Sequence, residues 1–369
     1  MSAVQLEIQA IAALVAVACA LPGVFLMLRR MSMMSDVISH AILPGIVLAF
    51  FVTSDLSSPF LILAAAATGV ITVVFVELIE RTQLVKEDAA MGLVFPILFS
   101  IGVILIARYA GDVHLDVDAV LLGELAFAPF NRFEMDGVDM GPKAIYVMSV
   151  ILLLNVVFIT LFYKELKLAT FDAALAATLG FAPTVLHYGL MTLVSITAVG
   201  AFDAVGSVLV VALMIGPPAT AYLLTDRLWV LLGLSALFGV LSALGGYWLA
   251  HAFDASIAGA MATLTGVLFG IVFLVAPDRG MVAVMRRQAR QRWTFAQQML
   301  VIHLLNHEGE PDEEEESQVD HLHEHLRWEP AFASRVVRQA ERRAVVKRDH
   351  GRLMLTDSGR TLALKVMAG

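Results

Sequence analysis

Nine apolar runs dominate this chain, at residues 7–28, 36–53, 59–80, 89–108, 143–163, 184–201, 205–224, 228–251 and 257–276. Each approaches the roughly 20 residues that a helix needs to cross the hydrocarbon core of a bilayer. Lipid offers the backbone no hydrogen-bond partners, so a chain with this pattern crosses as helices. Charges and turn residues interrupt the runs at Arg29-Arg30, Asp55 to Pro59, Arg81 to Asp88, Lys164 to Lys167, Asp226-Arg227 and Pro277-Asp278. A further segment, 117–128, is too short to span and is placed at the interface. With 59% hydrophobic and 16% charged residues, the chain is neither an ordinary soluble globule nor disordered. The reading is an all-α polytopic membrane protein with about 8–9 transmembrane helices.

Charge divides the chain. Residues 1–278 hold 10 Lys/Arg against 20 Asp/Glu, and residues 279–369 hold 15 against 13. We therefore expect a membrane domain at 1–280 and a separate domain at 281–369. With the N-terminus outside and the spans alternating, Arg29, Arg30, Arg81, Lys86, Lys164, Lys167, Arg227 and the arginines from Arg279 to Arg292 fall inside. Only Arg108, Arg132 and Lys143 fall outside, so the positive-inside rule makes the tail cytoplasmic. The outer loop carrying Asp112, His114, Asp116, Asp118, Glu124, Asp136 and Asp139 reads as solvated, or as a lure for cations. The lone Cys19 excludes an internal disulfide and a Cys-based zinc site. No removable leader is read at the N-terminus.

Small residues recur within the runs, from Ala64 to Gly69 and at Gly239, Ala243, Gly245, Gly246 and Gly259. Such residues let helices pack closely in lipid. Pro22, Pro44, Pro96, Pro217 and Pro218 are each expected to break or kink a span. Broken helices at membrane depth line cavities, which favours a transport path over a passive anchor.

The sharpest local signal is Met34-Ser-Asp-Val-Ile-Ser-His-Ala-Ile-Leu-Pro-Gly45. Asp36 and His40 stand four apart, on one face of a helix. A carboxylate beside an imidazole suits Mn²⁺, Zn²⁺ or Fe²⁺. Two ligands do not fill a coordination sphere, and a second copy related by a two-fold axis would supply two more. Ser35, Ser39 and Met34 are secondary candidates. The competing reading makes Asp36 a helix cap and His40 a satisfied interhelical histidine. His187, Tyr188, Asp203, Glu77, Glu80, His251 and Asp254 are each read as structural or interfacial, Asp203 at a turn between two spans. No phosphate-binding loop, Gly-x-Ser-x-Gly elbow or His-Glu-x-x-His motif occurs, so the chain is not read as an enzyme.

Residues 164–183 form a distinctive loop. Asp172 can cap a short Ala/Leu-rich helix that Gly180 ends. An amphipathic helix there offers a grip for a partner's groove, or merely rests on the bilayer.

The Met34–Gly45 segment looks like the signature of ABC-type manganese/zinc/iron permeases. Tyr163–Gly180 is similar to that family's coupling segment. Phe202-Asp-Ala-Val-Gly206, followed by Val210-Val-Ala-Leu-Met-Ile-Gly-Pro-Pro-Ala-Thr-Ala-Tyr222, matches a third block. The resemblance covers about residues 7–280. It implies a homodimeric or paired permease in the bacterial inner membrane. The partners would be an extracytoplasmic metal-binding protein and a separate ATP-binding-cassette ATPase. Asp36 and His40 match the family's metal ligands. Glu165, Leu168, Phe171, Asp172, Leu175 and Gly180 match its ATPase-coupling segment. A divalent metal is substrate, with no tightly bound cofactor.

The tail departs from that pattern. It reads as an amphipathic helix at 294–306, an acidic linker from Glu308 to Glu316, helices at 317–326 and 331–343, and a hairpin from Val345 to Leu355. This order looks like a winged helix. Trp328, Ala340 and the Gly351–Arg360 run resemble the N-terminal domain of iron- and manganese-dependent repressors of the diphtheria-toxin-repressor type. Arg335, Arg338, Arg342 and Arg343 could contact DNA, but the tail's balance of +2 favours a protein-interaction or regulatory role. His321, His323 and His325, with Glu324, read as a solvated linker or a metal sensor. The runner-up readings are a membrane-tethered, metal-responsive DNA-binding regulator and an ion-coupled secondary metal transporter.

Overall fold

The computed structural model describes residues 2–53, 59–109, 125–135, 138–311, 313–319, 322, 326–349 and 351–368. The chain forms two compact units, Met1–Gly280 and Met281–Gly369. Most of the acidic segment at 112–136, most of the short segment at 117–128, and the His321, His323, Glu324 and His325 cluster lie outside the described residues.

In the first unit, α1 (Ala3–Leu28) is central. A reciprocal cap starts it: the Gln5 N–H donates to Ser2 Oγ and the Ser2 N–H donates to Gln5 Oε1. Its residues are apolar and buried around most of the circumference, as an interior helix requires. Then come α2 (Met34–Ala41), α3 (Leu43–Thr53), α4 (Pro59–Glu80), α5 (Glu87–Tyr109), the strands β1 (Arg132–Met135) and β2 (Val138–Pro142), and α6 (Lys143–Leu161). The short helices α7 (Tyr163–Phe171) and α8 (Ala173–Thr178) follow. The unit closes with α9 (Pro183–Val205), α10 (Ser207–Tyr222), α11 (Leu228–Phe253) and α12 (Ile257–Val275). Around α1 pack α6, α9, α10 and α11, while α2 lies against α4, α5 and α9.

Among the described residues, eight helical segments are long and apolar enough to cross a membrane. The ninth run is α10, only 16 residues long. Leu63, Ile97, Ile104, Leu153 and Ile271 stay exposed, as a lipid-facing belt requires. Small residues permit the closest approaches. A Cβ at Gly23 would collide with the Met214 carbonyl, and one at Gly246 with the Met261 backbone. Buried Asn155 donates to the Ala18 carbonyl at 3.1 Å and to Thr197 Oγ1 at 2.9 Å, tying α6 to α1 and α9.

Two expectations are corrected, and a third, that prolines break or kink their spans, is narrowed. Pro22, Pro96, Pro217 and Pro218 lie within continuous helices, and only Pro44 stands at a break, just after α2 meets α3 at Ile42. Asp203 is not at the turn between spans. It lies in the last turn of α9, and the chain breaks at Gly206, whose φ of 81° favours glycine. The first unit is also not purely helical, since β1 and β2 form an antiparallel hairpin. There Arg132 Nε meets Asp139 at 2.5 Å and Arg132 Nη1 meets Glu7 at 3.3 Å. The Arg132 guanidinium and the Gly141 N–H hold the Asp139 carboxyl below its ordinary range.

The second unit begins with α13 (Met281–Asn306), longer than the 294–306 amphipathic pattern indicated. The acidic run is not all linker, because Glu313–Glu316 forms a single helical turn, α14, with Glu316 buried. Of the predicted helix at 317–326, residues 317–319 are turn and bridge, Leu322 is helical, and several others lie outside the described residues. Then come α15 (Pro330–Arg342), the hairpin of β3 (Val346–Asp349) and β4 (Arg352–Leu355), and α16 (Asp357–Met367). On α15, Phe332, Ala333, Val336, Val337 and Ala340 face a core shared with Leu300, Val301, Leu304 and Leu353. Arg335, Arg338 and Arg342 occupy the opposite, exposed face. Arg343 ends α15 and donates to Gln297 Oε1 at 2.8 Å.

Candidate functional site

Asp36 and His40 share one face of α2, with Asp36 Oδ1 3.4 Å from His40 Nε2. Their side chains are 40% and 32% exposed, in a helix whose other residues are mostly buried. The opposite face of α2 explains the placement: Met34 and Ile38 are fully buried, and they turn the polar pair outward. Asp36 is not the cap of α2, since Met33 occupies that position without a side-chain bond. The secondary candidates turn elsewhere. Ser35 Oγ donates to the Ser32 carbonyl and Ser39 Oγ to the Ser35 carbonyl, while Met34 belongs to the core. Phe95 of α5 lies beside His40, with ring centroids 5.9 Å apart.

The spacing of the pair has chemical meaning. Metal bonds of about 2.1 Å in tetrahedral geometry separate neighbouring donor atoms by about 3.4 Å. One carboxylate and one imidazole at that distance can hold a divalent transition ion while leaving further positions for other ligands.

The segment after α6 forms an elbow. Asp172 leaves helical geometry, and its Oδ1 accepts the Leu175 N–H at 2.9 Å, which starts α8. Gly180 ends the elbow with φ of 86°. Leu166 and Ala176 are fully buried and anchor it. Phe171 and Leu175 are 62% and 46% exposed, and Leu179 and Phe181 extend the apolar surface. Asp172 and Gly180 are exposed, while Glu165 and Leu168 are half-buried at its base.

Residues that the sequence presents singly are joined into a network. Arg29, just past α1, donates from Nε to Thr170 Oγ1 of α7 at 3.2 Å and meets His187 Nδ1 of α9 at 3.1 Å. Arginine only donates, so His187 Nδ1 accepts and the ring carries its proton on Nε2. That nitrogen lies 2.5 Å from Glu77 Oε1 of α4. Tyr188 O–H donates to Glu77 Oε2 at 2.6 Å. The elbow is thereby linked to α1, α4 and α9. Asp203 is exposed, His251 stacks on Tyr247, and Asp254 caps α11 in left-handed geometry, so none of them joins this network.

The model of the ABC 3 transport family matches residues 4–276. The zinc transport system membrane protein TroD of Treponema pallidum is 47% identical over 358 residues, 97% of each chain. The manganese transport system membrane protein MntD of Bacillus subtilis is 49% identical over 269 residues, 73% of this chain and 91% of that one. In structure, PsaBC from Streptococcus pneumoniae in complex with Fab aligns with a TM-score of 0.62 and 27% identity, covering 75% of this chain and 94% of that one.

Proposed function

The chain belongs to the ABC 3 transport family, and from that premise we propose that it is the membrane permease of an ATP-driven importer of a divalent transition metal: manganese, zinc or iron. The observation that carries the reading is the Asp36–His40 pair, set at ligand spacing on the outward face of an otherwise buried helix. Two facing permease subunits, identical or paralogous, each contribute this pair, and four ligands then hold the ion in transit. An extracytoplasmic binding protein delivers the metal. The relatives named for zinc and manganese transport support this class of cargo.

The exposed Phe171 and Leu175 dock into a groove of the partner ATPase on the cytoplasmic face. Asp172 and Gly180 shape that elbow, and Glu165 and Leu168 form its base. When ATP moves the elbow, Thr170 pulls on Arg29, and the pull reaches α1, α9 and α4 through His187 and Glu77. Because α2 packs on α4 and α9, the metal pair moves with them and changes the side to which it opens. The second unit is a cytoplasmic regulatory or protein-interaction module with a winged-helix-like order of elements.

The test is radiolabelled metal uptake by cells of the inner-membrane system, with and without the ATPase, for Asp36→Ala and His40→Ala. Uptake falls to background in each variant and whenever the ATPase is missing. Unchanged uptake in both variants removes the site. Uptake that persists without the ATPase favours an ion-coupled carrier instead.

A further inference from the structure

A second group of metal-type ligands lies in the unit Met281–Gly369, far in sequence from Asp36 and His40. His303 and His307 stand one turn apart near the end of α13, with ring centroids 4.8 Å apart. Glu316, at the end of α14, places Oε2 3.4 Å from His303 Nε2. One donor atom from each of the three residues lies within 4.8 Å of the other two. His303 is 9% exposed and Glu316 is 6% exposed. From these positions we infer that His303, His307 and Glu316 form a divalent transition-metal site in the C-terminal unit.

The donor set fits an ion better than a lone ion pair. Two imidazoles and one carboxylate gather their donor atoms within 4.8 Å of one another; His303 Nε2 also lies 3.2 Å from the Glu316 carbonyl oxygen, and an ion bound at that nitrogen takes the place of its proton and of that contact. The His303–Glu316 separation equals the edge of a tetrahedron whose metal bonds are about 2.1 Å. The widest separation, up to 4.8 Å, closes by about 1.4 Å through side-chain rotation, since half-exposed His307 sits near the helix end. Two histidines at i, i+4 and one glutamate supply three of the four ligands of a tetrahedral site. Imidazole and carboxylate together favour Zn²⁺ and Co²⁺ over Mn²⁺.

The site is also held from behind. Leu300 and Leu304 on α13 are buried in the core of this unit. On the other side Arg352 of β4 pairs with Glu314, Gln318 bridges to Arg352, and the Leu353 N–H donates to the Ser317 carbonyl at 2.9 Å. A bound ion therefore fastens the end of α13 to the segment that leads into the β3–β4 hairpin, and makes the packing of this unit depend on metal. This inference does not depend on the role given to Asp36 and His40.

The test uses the tag-free full-length chain in detergent, carrying Asp36→Ala and His40→Ala so that the first pair is silent. Co²⁺ is titrated while its visible ligand-field absorption is followed. About one equivalent of tetrahedral-intensity Co²⁺ binds, and Zn²⁺ displaces it. Adding His307→Gln or Glu316→Gln weakens binding by at least about 100-fold, beyond the 10–100-fold typical of outer-shell partners. His251→Gln, a control in the membrane unit, leaves it unchanged. Circular dichroism and gel filtration verify that the variants remain folded, and the same titration on the chain with native Asp36 and His40 loses one equivalent with either substitution. Absence of the tetrahedral signal, or binding undiminished in both His307→Gln and Glu316→Gln, overturns the site.

Discussion

Replacing Glu77 by Gln is the most direct probe of how the elbow reaches the spans. The Glu77 carboxylate takes a hydrogen bond from Tyr188 and lies 2.5 Å from His187 Nε2, and the side chains of Glu77 and His187 are only 17% and 18% exposed. Hydrogen bonds to charged groups contribute about 1.5–3 kcal/mol each. The amide of Gln keeps one acceptor oxygen but turns an N–H₂ toward the other donor. One partner is orphaned, and the cost is about 2–3 kcal/mol. The same carboxylate supplies its own control, because Arg81 lies 3.8 Å away with its side chain 72% exposed. Such a surface pair contributes about 0.5 kcal/mol.

Two double-mutant cycles separate these contributions, read by equilibrium unfolding of the full chain in mixed micelles. The Glu77→Gln/His187→Gln cycle returns a coupling of about 1.5–3 kcal/mol, and the Glu77→Gln/Arg81→Gln cycle about 0.5 kcal/mol or less. In vesicles with the ATPase, Glu77→Gln and Thr170→Val lower metal uptake per ATP hydrolysed, because each cuts the chain between elbow and spans. A His187 coupling no larger than that of Arg81 refutes the network, whatever happens to uptake.

Three further outcomes are expected. Phe171→Ala costs about 2 kcal/mol of ATPase binding, roughly 30-fold in Kd, with unfolding unchanged because the ring is exposed; co-purification with the ATPase measures it. Gly23→Ala destabilises the first unit by about 1–3 kcal/mol because its Cβ meets the Met214 backbone, whereas Gly92→Ala, which meets nothing within 4 Å, is neutral or stabilising in the same unfolding assay. The Asp139 carboxyl is held below its ordinary range first by Arg132 and then by the Gly141 N–H, so its contribution to the β1–β2 hairpin is present above the unfolded value of about 3.9 and fades as pH falls through the lower folded value. Protection of the Gly141 amide in hydrogen exchange, corrected for intrinsic rate, drops below about pH 4, and Asp139→Asn removes that pH dependence.

What the sequence discloses follows from how far apart the interacting residues lie. The spans were legible because bilayer thickness imposes a length on every apolar run. Asp36 and His40 were legible because a helical turn brings positions four apart together, with no knowledge of tertiary structure. Asp172 and Gly180 were legible by the same local logic. Pro22 and Pro96 lie inside continuous helices, so a proline alone does not locate a break. The β1–β2 hairpin was missed because its strands are only four and five residues long and follow no clear alternation.

The network and the second ligand group show where local reading ends. Glu77 and Tyr188 are 111 positions apart, and Arg29 and His187 are 158 apart. Only the packing of α1, α4 and α9 makes them neighbours, so each looked structural alone. His303 and His307 do carry a local signal, a turn apart on an amphipathic helix. Their third partner was hidden in a run of four glutamates that reads as solvated. A one-turn helix buries the last of the four against His303, and burial is what separates it from its three exposed neighbours. Burying that carboxylate costs free energy unless something positive compensates it. At Glu316 one such group is His303, whose own charge depends on what it binds.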